Sequence, residues 1–258
     1  ILIVKYGGSA ITDKATFETL KSQELERAAD QLNQVYNGDI WSQIIVVHGA
    51  GSFGHFQARE FGLKNGRTSL TNNNNCNDDL SWQRGAAITR HSVQQLNHHV
   101  VAAHIKAGLP AVGLSPFPTV VTGHGAEEER GSYGINPQGS KVQDIGILAC
   151  VGKVLRSGLL PVLHGDVVLD RNQACAILGG DHIIAWTPQR RMRVVFLTDV
   201  AGVYDKSPCL PGAELIRHIT VRTDGTTDLQ AHTETAAHDV TGGIEAKLQV
   251  PALAKYYI

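Results

Sequence analysis

The chain has 258 residues, of which 42% are hydrophobic, so it can bury a sizeable core and disorder is not expected. Its 23 Lys and Arg nearly balance 24 Asp and Glu, and a net charge of -1 argues against nucleic acid or a membrane surface as a partner. The four cysteines form no CxxC pair and fit no zinc-ligand spacing. No apolar run in the sequence reaches the about 18 residues that a membrane span needs. We therefore expect a cytoplasmic protein with free thiols.

Short apolar runs alternate with helical periodicity along the chain, and Gly, Pro and Asn punctuate the changes. In the first half of the chain the patterns predict a strand at 1–6, a helix at 17–35, a strand at 44–47, a loop or lid at 61–79 that holds four consecutive Asn, and a helix at 93–107 that Gly108 ends. In the second half they predict a strand from 109, a loop at 115–139, a helix at 142–155, a strand at 160–163, a hairpin at 167–178, a strand at 194–197 and a helix at 241–255.

Helices that alternate with continuous apolar strands are typical of a largely parallel sheet covered on both faces. We therefore predict an α/β protein, a three-layer αβα sandwich that forms a single domain over 1–258. No segment has the composition of a disordered linker. Any division is expected near Leu178, between lobes at 1–178 and 179–258 that share the sheet.

Glycine loops follow the predicted strands at several places. One loop alone is explained equally well by a turn that needs glycine backbone angles. Strand ends of a parallel sheet converge on one crevice, however, and exposed N–H groups there suit phosphate oxygens. Several loops in one crevice therefore indicate a ligand with several phosphates, or two phosphorylated ligands. The loops are Gly7-Gly8-Ser9, Gly49 to Gly54, Gly165-Asp166, Gly179-Gly180-Asp181 and Gly242-Gly243, and Lys5, Lys14 and Lys247 lie beside them.

The segment from Gly49 to Gly54 also fits two other motifs. It satisfies G-x-G-x-x-G of dinucleotide-binding folds, but 71–75, where an acidic residue is expected, contains none. It also nearly matches the G-x-S-x-G elbow of serine hydrolases around Ser52, with Ala50 in place of the first glycine. Both matches are weak, and a hydrolase built on Ser52 stays open as an alternative.

Motifs over nearly the whole chain follow the order of one known superfamily. Lys5 to Ser9 with Ile11 to Lys14 resembles the opening of the amino acid kinases, and His48 to His55 is similar to the signature of their isopentenyl phosphate kinases. Three features depart from the usual pattern of this family: the run of four Asn in the predicted lid, a proline inside the last predicted helix, and no further predicted strands after that helix. The motifs that complete the resemblance are His164-Gly165-Asp166, Gly179-Gly180-Asp181, Leu197 to Tyr204 and Asp239 to Ile244.

The resemblance implies an amino acid kinase-like fold and transfer of the γ-phosphoryl group of ATP to isopentenyl phosphate. It implies that Lys5 neutralises phosphates, Lys14 supports the transferring group, Asp181 holds the lysines in place and His55 donates a hydrogen bond to the acceptor phosphate. Mg²⁺ is expected between the ATP phosphates with few protein ligands, and a homodimer is expected. The acceptor side, in lobe 1–178, would comprise Gly49, Gly51, Gly54, His55 and Gly165, and the nucleotide side Lys5, Gly7, Gly8, Ser9, Gly180, Asp199, Val203, Tyr204, Gly243 and Lys247.

Two further alternatives remain open at this stage. The first is a different acceptor on the same fold, namely a carboxylate, a nucleoside monophosphate or a phosphonate. The second is a non-catalytic binding or storage protein, against which the set Lys5, Lys14, Asp181 and Lys247 argues. The predicted helix at 93–107 is interpreted mainly as core, with Ile88 before it as a candidate for a prenyl pocket.

Overall fold

The computed structural model describes residues 1–38, 40–65, 81–123, 141–142, 146–185, 192–206 and 208–220. In chain order its elements are β1 (Leu2–Tyr6), α1 (Gly8–Ile11), α2 (Ser22–Asn37), β2 (Ile44–His48), a 3₁₀ turn (Gly51–Phe53), α3 (His55–Glu60), a second 3₁₀ turn (Leu63–Asn65), α4 (Ser81–Lys106), β3 (Ala111–Leu114), β4 (Val121–Gly123), β5 (Lys141–Val142), α5 (Gly146–Arg156), β6 (Leu160–His164), β7 (Asp166–Asp170), β8 (Ala174–Leu178), α6 (Gly180–Ala185), β9 (Arg193–Leu197), β10 (Val203–Tyr204) and β11 (Leu215–Ile216).

Five of these strands form a parallel sheet in the order β3-β6-β2-β1-β9. β1 lies next to β2 on one side and β9 on the other, so Lys5 is opposite Val47 and Phe196. β1 and β2 are buried along their whole length, as expected for strands covered on both faces. Because all five strands run the same way, their carboxyl ends meet at one edge of the sheet.

Helices cover both faces of this sheet. Alternate strand residues, such as Val4 and Val46, pack on one face with Leu25 and Leu32 of α2 and with Leu96 and Val100 of α4. The residues between them face the opposite way, and they form the second core. Side chains in that second core are Ile3, Ile45, Val47 and Leu163 of the sheet, Ile147 and Val151 of α5, and Ile183 and Ile184 of α6. The predicted three-layer αβα sandwich is therefore confirmed.

A smaller, four-stranded sheet follows directly from β6. Its order is β5-β4-β7-β8, and β7 and β8 form the predicted antiparallel hairpin. Gly165 separates β6 from β7, so the chain leaves the central sheet and enters the second one at the carboxyl edge. β10 and β11 pair separately as an antiparallel two-stranded ribbon.

Three sequence-based boundaries are wrong for identifiable reasons. The helix predicted from Phe17 begins only at Ser22, because Thr12 and Leu20 pair in an antiparallel bridge and the residues between them form turns. The long helix predicted from Val93 begins already at Ser81, since its first turns are rich in polar residues and carry little apolar periodicity. The helix predicted from residue 142 starts at Gly146, because residues 141–142 pair with β4.

The loop predicted at 115–139 is corrected in part, because Val121–Gly123 form β4 beside β7. Residues 66–80, most of the predicted lid, and the helix predicted at 241–255 lie outside the described residues. The division into two lobes stays a prediction. None of the helices that the structure describes is long and apolar enough to cross a membrane.

Candidate active site

Glycine turns meet where three neighbouring strands end. The N–H of Gly49 donates to the carbonyl of Tyr6 at 3.0 Å, and the N–H of Gly165 donates to the carbonyl of His48 at 2.9 Å. The turns after β1, β2 and β6 therefore lie side by side. α6 starts at the same place, because a Cβ on Gly180 would be 3.3 Å from the carbonyl oxygen of His48. Four of the predicted glycine loops thus form one crevice.

Two of these turns touch through backbone atoms. A Cβ on Gly8 would lie 2.7 Å from both the nitrogen and the Cα of Gly51, and a Cβ on Gly49 would lie 3.0 Å from the nitrogen of Gly8. Gly51 has a φ of 52°, in the left-handed region that glycine enters at little cost. The packing of the crevice therefore requires glycine at these positions whatever ligand it binds.

A buried ion pair joins β1 to the start of α6 at this edge of the sheet. The Nζ of Lys5 lies 2.8 Å from Oδ1 and 2.9 Å from Oδ2 of Asp181. Only 7% of the Lys5 side chain and 6% of the Asp181 side chain are exposed. A lysine inside an apolar strand is costly to bury unless it meets an anion, and Asp181 supplies one. Because a buried ion pair adds little net stability, its presence points to a role for the ammonium group itself.

His55 is the first residue of α3 and lines a cleft beside the glycine turns. The cleft holds about 410 Å³ of empty space, part of it open to solvent. Gly51, predicted on the acceptor side, is buried and is not among the lining residues, whereas Gly180, predicted on the nucleotide side, is. Glycines 49, 54, 165, 179 and 180 share the lining with His55, Thr89 and Asp166 and with the apolar Ala50, Ala58, Val93, Val167, Ile177 and Leu178.

Two stacked histidines lie under the crevice and are both neutral. The rings of His48 and His164 are 5.6 Å apart at their centres, at the carboxyl ends of β2 and β6. The Nδ1–H of His48 donates to the Gly49 carbonyl, and its Nε2 accepts from the Asn97 amide, each at 3.0 Å. Burial, with His164 nearby, lowers the pKa of His48 to about 3. These histidines therefore support the glycine turns without adding positive charge.

A polar network that the sequence patterns did not reveal lies against the same cleft. Nε of Arg90 in α4 donates to Oδ2 of Asp166 at 3.3 Å, and its Nη2 donates to Oγ of Ser115 at 3.1 Å. The Ser115 hydroxyl donates in turn to Asp166 at 3.1 Å. Burial raises the pKa of Asp166, and Arg90 is among the groups that oppose the rise. Arg90 carried no sequence signal, because it belongs to an ordinary amphipathic helix.

Four of the residues predicted on the nucleotide side, Ser9, Asp199, Val203 and Tyr204, lie on the flank of β1 that faces β9. The hydroxyl of Ser9 donates to Oδ1 of Asp199 at 2.9 Å, which links the turn after β1 to the loop after β9. Lys21, which no motif contains, donates from Nζ to the carbonyl of Ser9 at 2.8 Å. Val203 and Tyr204 form the half-buried strand β10 beyond that loop.

Lys14 lies in the loop between α1 and α2, which packs against α3. Glu18 of this loop accepts a hydrogen bond from the amide of Gln57 at 3.1 Å, and the rings of Phe17 and Phe56 meet edge to face at 5.8 Å. The loop that carries Lys14 is therefore held beside the helix that His55 begins. The side chain of Lys14 is half-buried.

Ser52 is not placed as a nucleophile. Its side chain is fully buried, and its hydroxyl accepts from the N–H of Thr19 at 3.1 Å and donates to the carbonyl of the same residue. The serine hydrolase alternative is therefore not supported.

Other expectations concern ligands and residues beyond the described part of the chain. Gly243 and Lys247 lie outside the described residues. Within the described ranges, no group of three or more His, Cys, Asp or Glu is arranged to hold a metal ion. Cys150, Cys175 and Cys209 are free thiols.

Comparison with known proteins agrees with this geometry. The model of the amino acid kinase family matches residues 1–253. The isopentenyl phosphate kinase of Arabidopsis thaliana is 35% identical, with 97% of this chain and 82% of that protein covered. The isopentenyl phosphate kinase of Methanothermobacter thermautotrophicus is 33% identical, with 96% of this chain and 85% of that protein covered.

Solved structures show the same fold. An X-ray structure of isopentenyl phosphate kinase superimposes with a TM-score of 0.68 at 30% identity and covers 83% of this chain and 78% of its own. A product complex of the T. acidophilum isopentenyl phosphate kinase gives a TM-score of 0.69 at 24% identity over 99% of this chain and 88% of its own. The predicted amino acid kinase-like fold is confirmed.

The buried, neutral His48 predicts how stability depends on pH. Its pKa is about 3 in the folded protein against 6.5 for a free side chain, so unfolding takes up a proton between these values. The contribution to stability is complete above pH 6.5 and falls as the pH drops towards 3. In His48→Gln, the slope of unfolding free energy against pH should decrease by up to about 1.4 kcal/mol per pH unit between pH 6 and 4.

The measurement is denaturant unfolding across this pH range. His98→Gln, an exposed position on α4, is the matched control and should keep the wild-type slope. An unchanged slope in His48→Gln would contradict the neutral, buried state.

Proposed function

The chain belongs to the amino acid kinase family and, within it, to the isopentenyl phosphate kinases, and from this premise we propose that it transfers the γ-phosphoryl group of ATP to isopentenyl phosphate. The product is isopentenyl diphosphate, a precursor for isoprenoid synthesis. The observation that carries the proposal is the buried Lys5–Asp181 pair at the edge of a crevice built from glycine turns. Glycine turns beside a buried cation suit a ligand with several phosphate groups.

The acceptor largely determines what the protein must supply. A phosphate monoester has a second pKa of about 6, so it is mostly dianionic at neutral pH and already nucleophilic. No general base is required, and catalysis reduces to positioning two phosphorylated substrates and neutralising their charge. Lysine side chains and backbone N–H groups are suited to this work, whereas the neutral histidines under the crevice are not.

Lys5 is proposed to act on the charge that moves during transfer. Asp181 contacts the ammonium group with both carboxylate oxygens, so the direction of the lysine side chain is held before substrates arrive. An ammonium that is already oriented stabilises developing charge without reorganising, which is the property that lowers a barrier. Lys14, on the loop beside α3, is proposed to support the transferring phosphoryl group from the other side.

His55 is proposed to donate a hydrogen bond to the acceptor phosphate. It lines the cleft together with Gly49, Gly54 and Gly165, whose backbone leaves room for an anion. The apolar part of the lining, which includes Val93 and Ile177, suits a short hydrocarbon chain. Ile88, the earlier candidate for this pocket, is 38% exposed and is not part of the lining, so Val93 replaces it in the proposal.

The nucleotide is proposed to lie on the flank of β1 that faces β9. Ser9 and Asp199 are hydrogen-bonded there, and the remaining proposed nucleotide contacts are Gly7, Gly8, Gly180, Val203, Tyr204, Gly243 and Lys247. Mg²⁺ is proposed to enter as part of the ATP·Mg substrate, held by phosphates and water. This agrees with the contacts of the two carboxylates at this edge of the sheet, since Asp181 already contacts Lys5 and Asp199 already accepts from Ser9. A homodimer, the cytoplasm as its location and the absence of nucleic acid and membrane partners also remain proposals.

The direct test is phosphoryl transfer from ATP·Mg to a panel of acceptors. Isopentenyl phosphate should give the highest kcat/KM, above acetylglutamate, aspartate, UMP and a phosphonate, because the cleft combines anion-binding turns with an apolar lining. The readout is ADP release, corrected for release without acceptor. Equal or faster turnover of a carboxylate or of UMP would contradict the proposed acceptor.

Removing the Lys5 charge should slow the chemical step. Lys5→Met is expected to lower kcat about 10²–10³-fold, with a smaller change in the KM for ATP, because the lost contact acts in the transition state. It also leaves Asp181 buried and unpaired, which is destabilising by about 3–5 kcal/mol. The double variant Lys5→Met/Asp181→Asn removes both charges and separates the two effects.

In that double variant, thermal stability should recover while kcat stays low. Recovery of both would mean that Lys5 serves only to compensate Asp181. An unchanged kcat with a raised KM for ATP would mean that Lys5 contributes uniform binding.

His55 is expected to act as a donor and not as a base. His55→Gln keeps a hydrogen-bond donor and should retain much of the activity, whereas His55→Ala should lose at least about thirtyfold in kcat/KM for isopentenyl phosphate. His91→Ala, exposed on α4, is the control. Equal inactivity of the Gln and Ala variants would point to proton transfer by His55. Full activity of both variants would show that His55 has no role in the reaction.

A further inference from the structure

The Arg90 network couples three separate elements beside the acceptor cleft. Arg90 belongs to α4, Ser115 follows β3, and Asp166 begins β7. Both carboxylate oxygens of Asp166 are occupied, because Oδ1 accepts the N–H of Val167 at 2.8 Å and Oδ2 accepts from Arg90 and Ser115. The carboxylate is therefore held in one orientation.

This carboxylate is placed where a negative charge should be harmful. Asp166 is among the residues that line the cleft, and its side chain is completely buried. A phosphate acceptor is a dianion at neutral pH, so an uncompensated buried carboxylate at the cleft would repel it. Nδ1 of His164 is 3.9 Å from Asp166, but burial lowers the pKa of His164, so that ring does not supply the missing charge.

Arg90 has the geometry of a permanent counter-charge. Its guanidinium lies 3.9 Å from the ring centre of Phe117, and its side chain is only 17% exposed. The group is held by stacking on one face and by hydrogen bonds at its edge. Arginine stays protonated throughout the pH range in which a kinase works.

We propose that Arg90 is a positioning residue for the acceptor, acting through Asp166 by compensating its charge at the cleft so that a phosphate dianion is admitted. The inference rests on the proposed function and extends it to a residue outside every glycine motif. Asp166 orders the start of β7 by accepting from the Val167 N–H and the Ser115 hydroxyl, and Arg90 offsets the electrostatic cost of a carboxylate at this position. Removing Arg90 would expose the acceptor to repulsion by Asp166. Because this repulsion acts on the bound acceptor and on the transition state alike, removing Arg90 changes the KM for the acceptor and not kcat.

The test compares Arg90→Met, Asp166→Asn and the double variant Arg90→Met/Asp166→Asn. Arg90→Met should raise the KM for the acceptor at least tenfold, with kcat and the KM for ATP within about threefold of wild type. The double variant should return the acceptor KM to within about threefold of wild type, because neither charge is left. Arg84→Met, which removes an exposed arginine from the same helix, is the matched control and should change nothing.

Folding is checked by thermal unfolding, and Asp166→Asn keeps the test decisive if Arg90→Met does not fold. Asp166→Asn removes a negative charge close to the cleft, so the acceptor KM should be equal to or lower than in wild type. The inference is overturned by an unchanged acceptor KM in Arg90→Met, by a tenfold higher acceptor KM in folded Asp166→Asn, or by a double variant no better than Arg90→Met.

The acceptor used is the one that wild type turns over fastest in the panel. If that acceptor is another anion, the proposed function fails while the comparison of variants still tests the role of Arg90. If isopentenyl phosphate is the preferred acceptor and the double variant does not restore its KM, only the role of Arg90 fails.

Discussion

The contact between Lys5 and Asp181 connects residues that are 176 positions apart in the chain. It can form only if β1 lies inside the sheet and α6 begins at the carboxyl edge, next to the glycine turns. Burying both groups removes them from water, which neither would tolerate alone. The arrangement of the sheet and the position of the charged group are therefore parts of the same constraint.

Charge compensation recurs at the edge of the sheet among the residues that the structure describes. Lys5 is paired with Asp181, and Arg90 with Asp166, whereas His48 and His164 are kept neutral by burial. These two ion pairs therefore hold their charged groups in fixed orientations before any ligand binds. In the proposed reaction, two phosphorylated substrates bring the excess negative charge, and Lys5 is the oriented cation proposed to meet it at the point of transfer.

Close packing of the turns explains why glycine is needed there independently of any ligand. Gly8 and Gly51 approach so closely that a Cβ on Gly8 would collide with backbone atoms. The same compactness brings the ends of separate strands to one place, where the substrates are proposed to bind. Structure and binding therefore select the same residue at these positions, and substitution of such a glycine alone does not separate the two.

The sequence by itself determined the αβα architecture, most strands and the segments that form the crevice, because apolar periodicity and glycine turns are local signals. The resemblance of its motifs to a known family also singled out Lys5, Asp181 and His55. Only the tertiary structure decided that Phe17 lies before its helix, that 121–123 pair in a second sheet and that Ser52 is buried. The Arg90–Asp166–Ser115 network likewise emerged only from the fold, because its members have no common spacing or motif. Pairing of distant residues depends on how β3, α4 and β7 pack, and no local pattern in the chain encodes that distance.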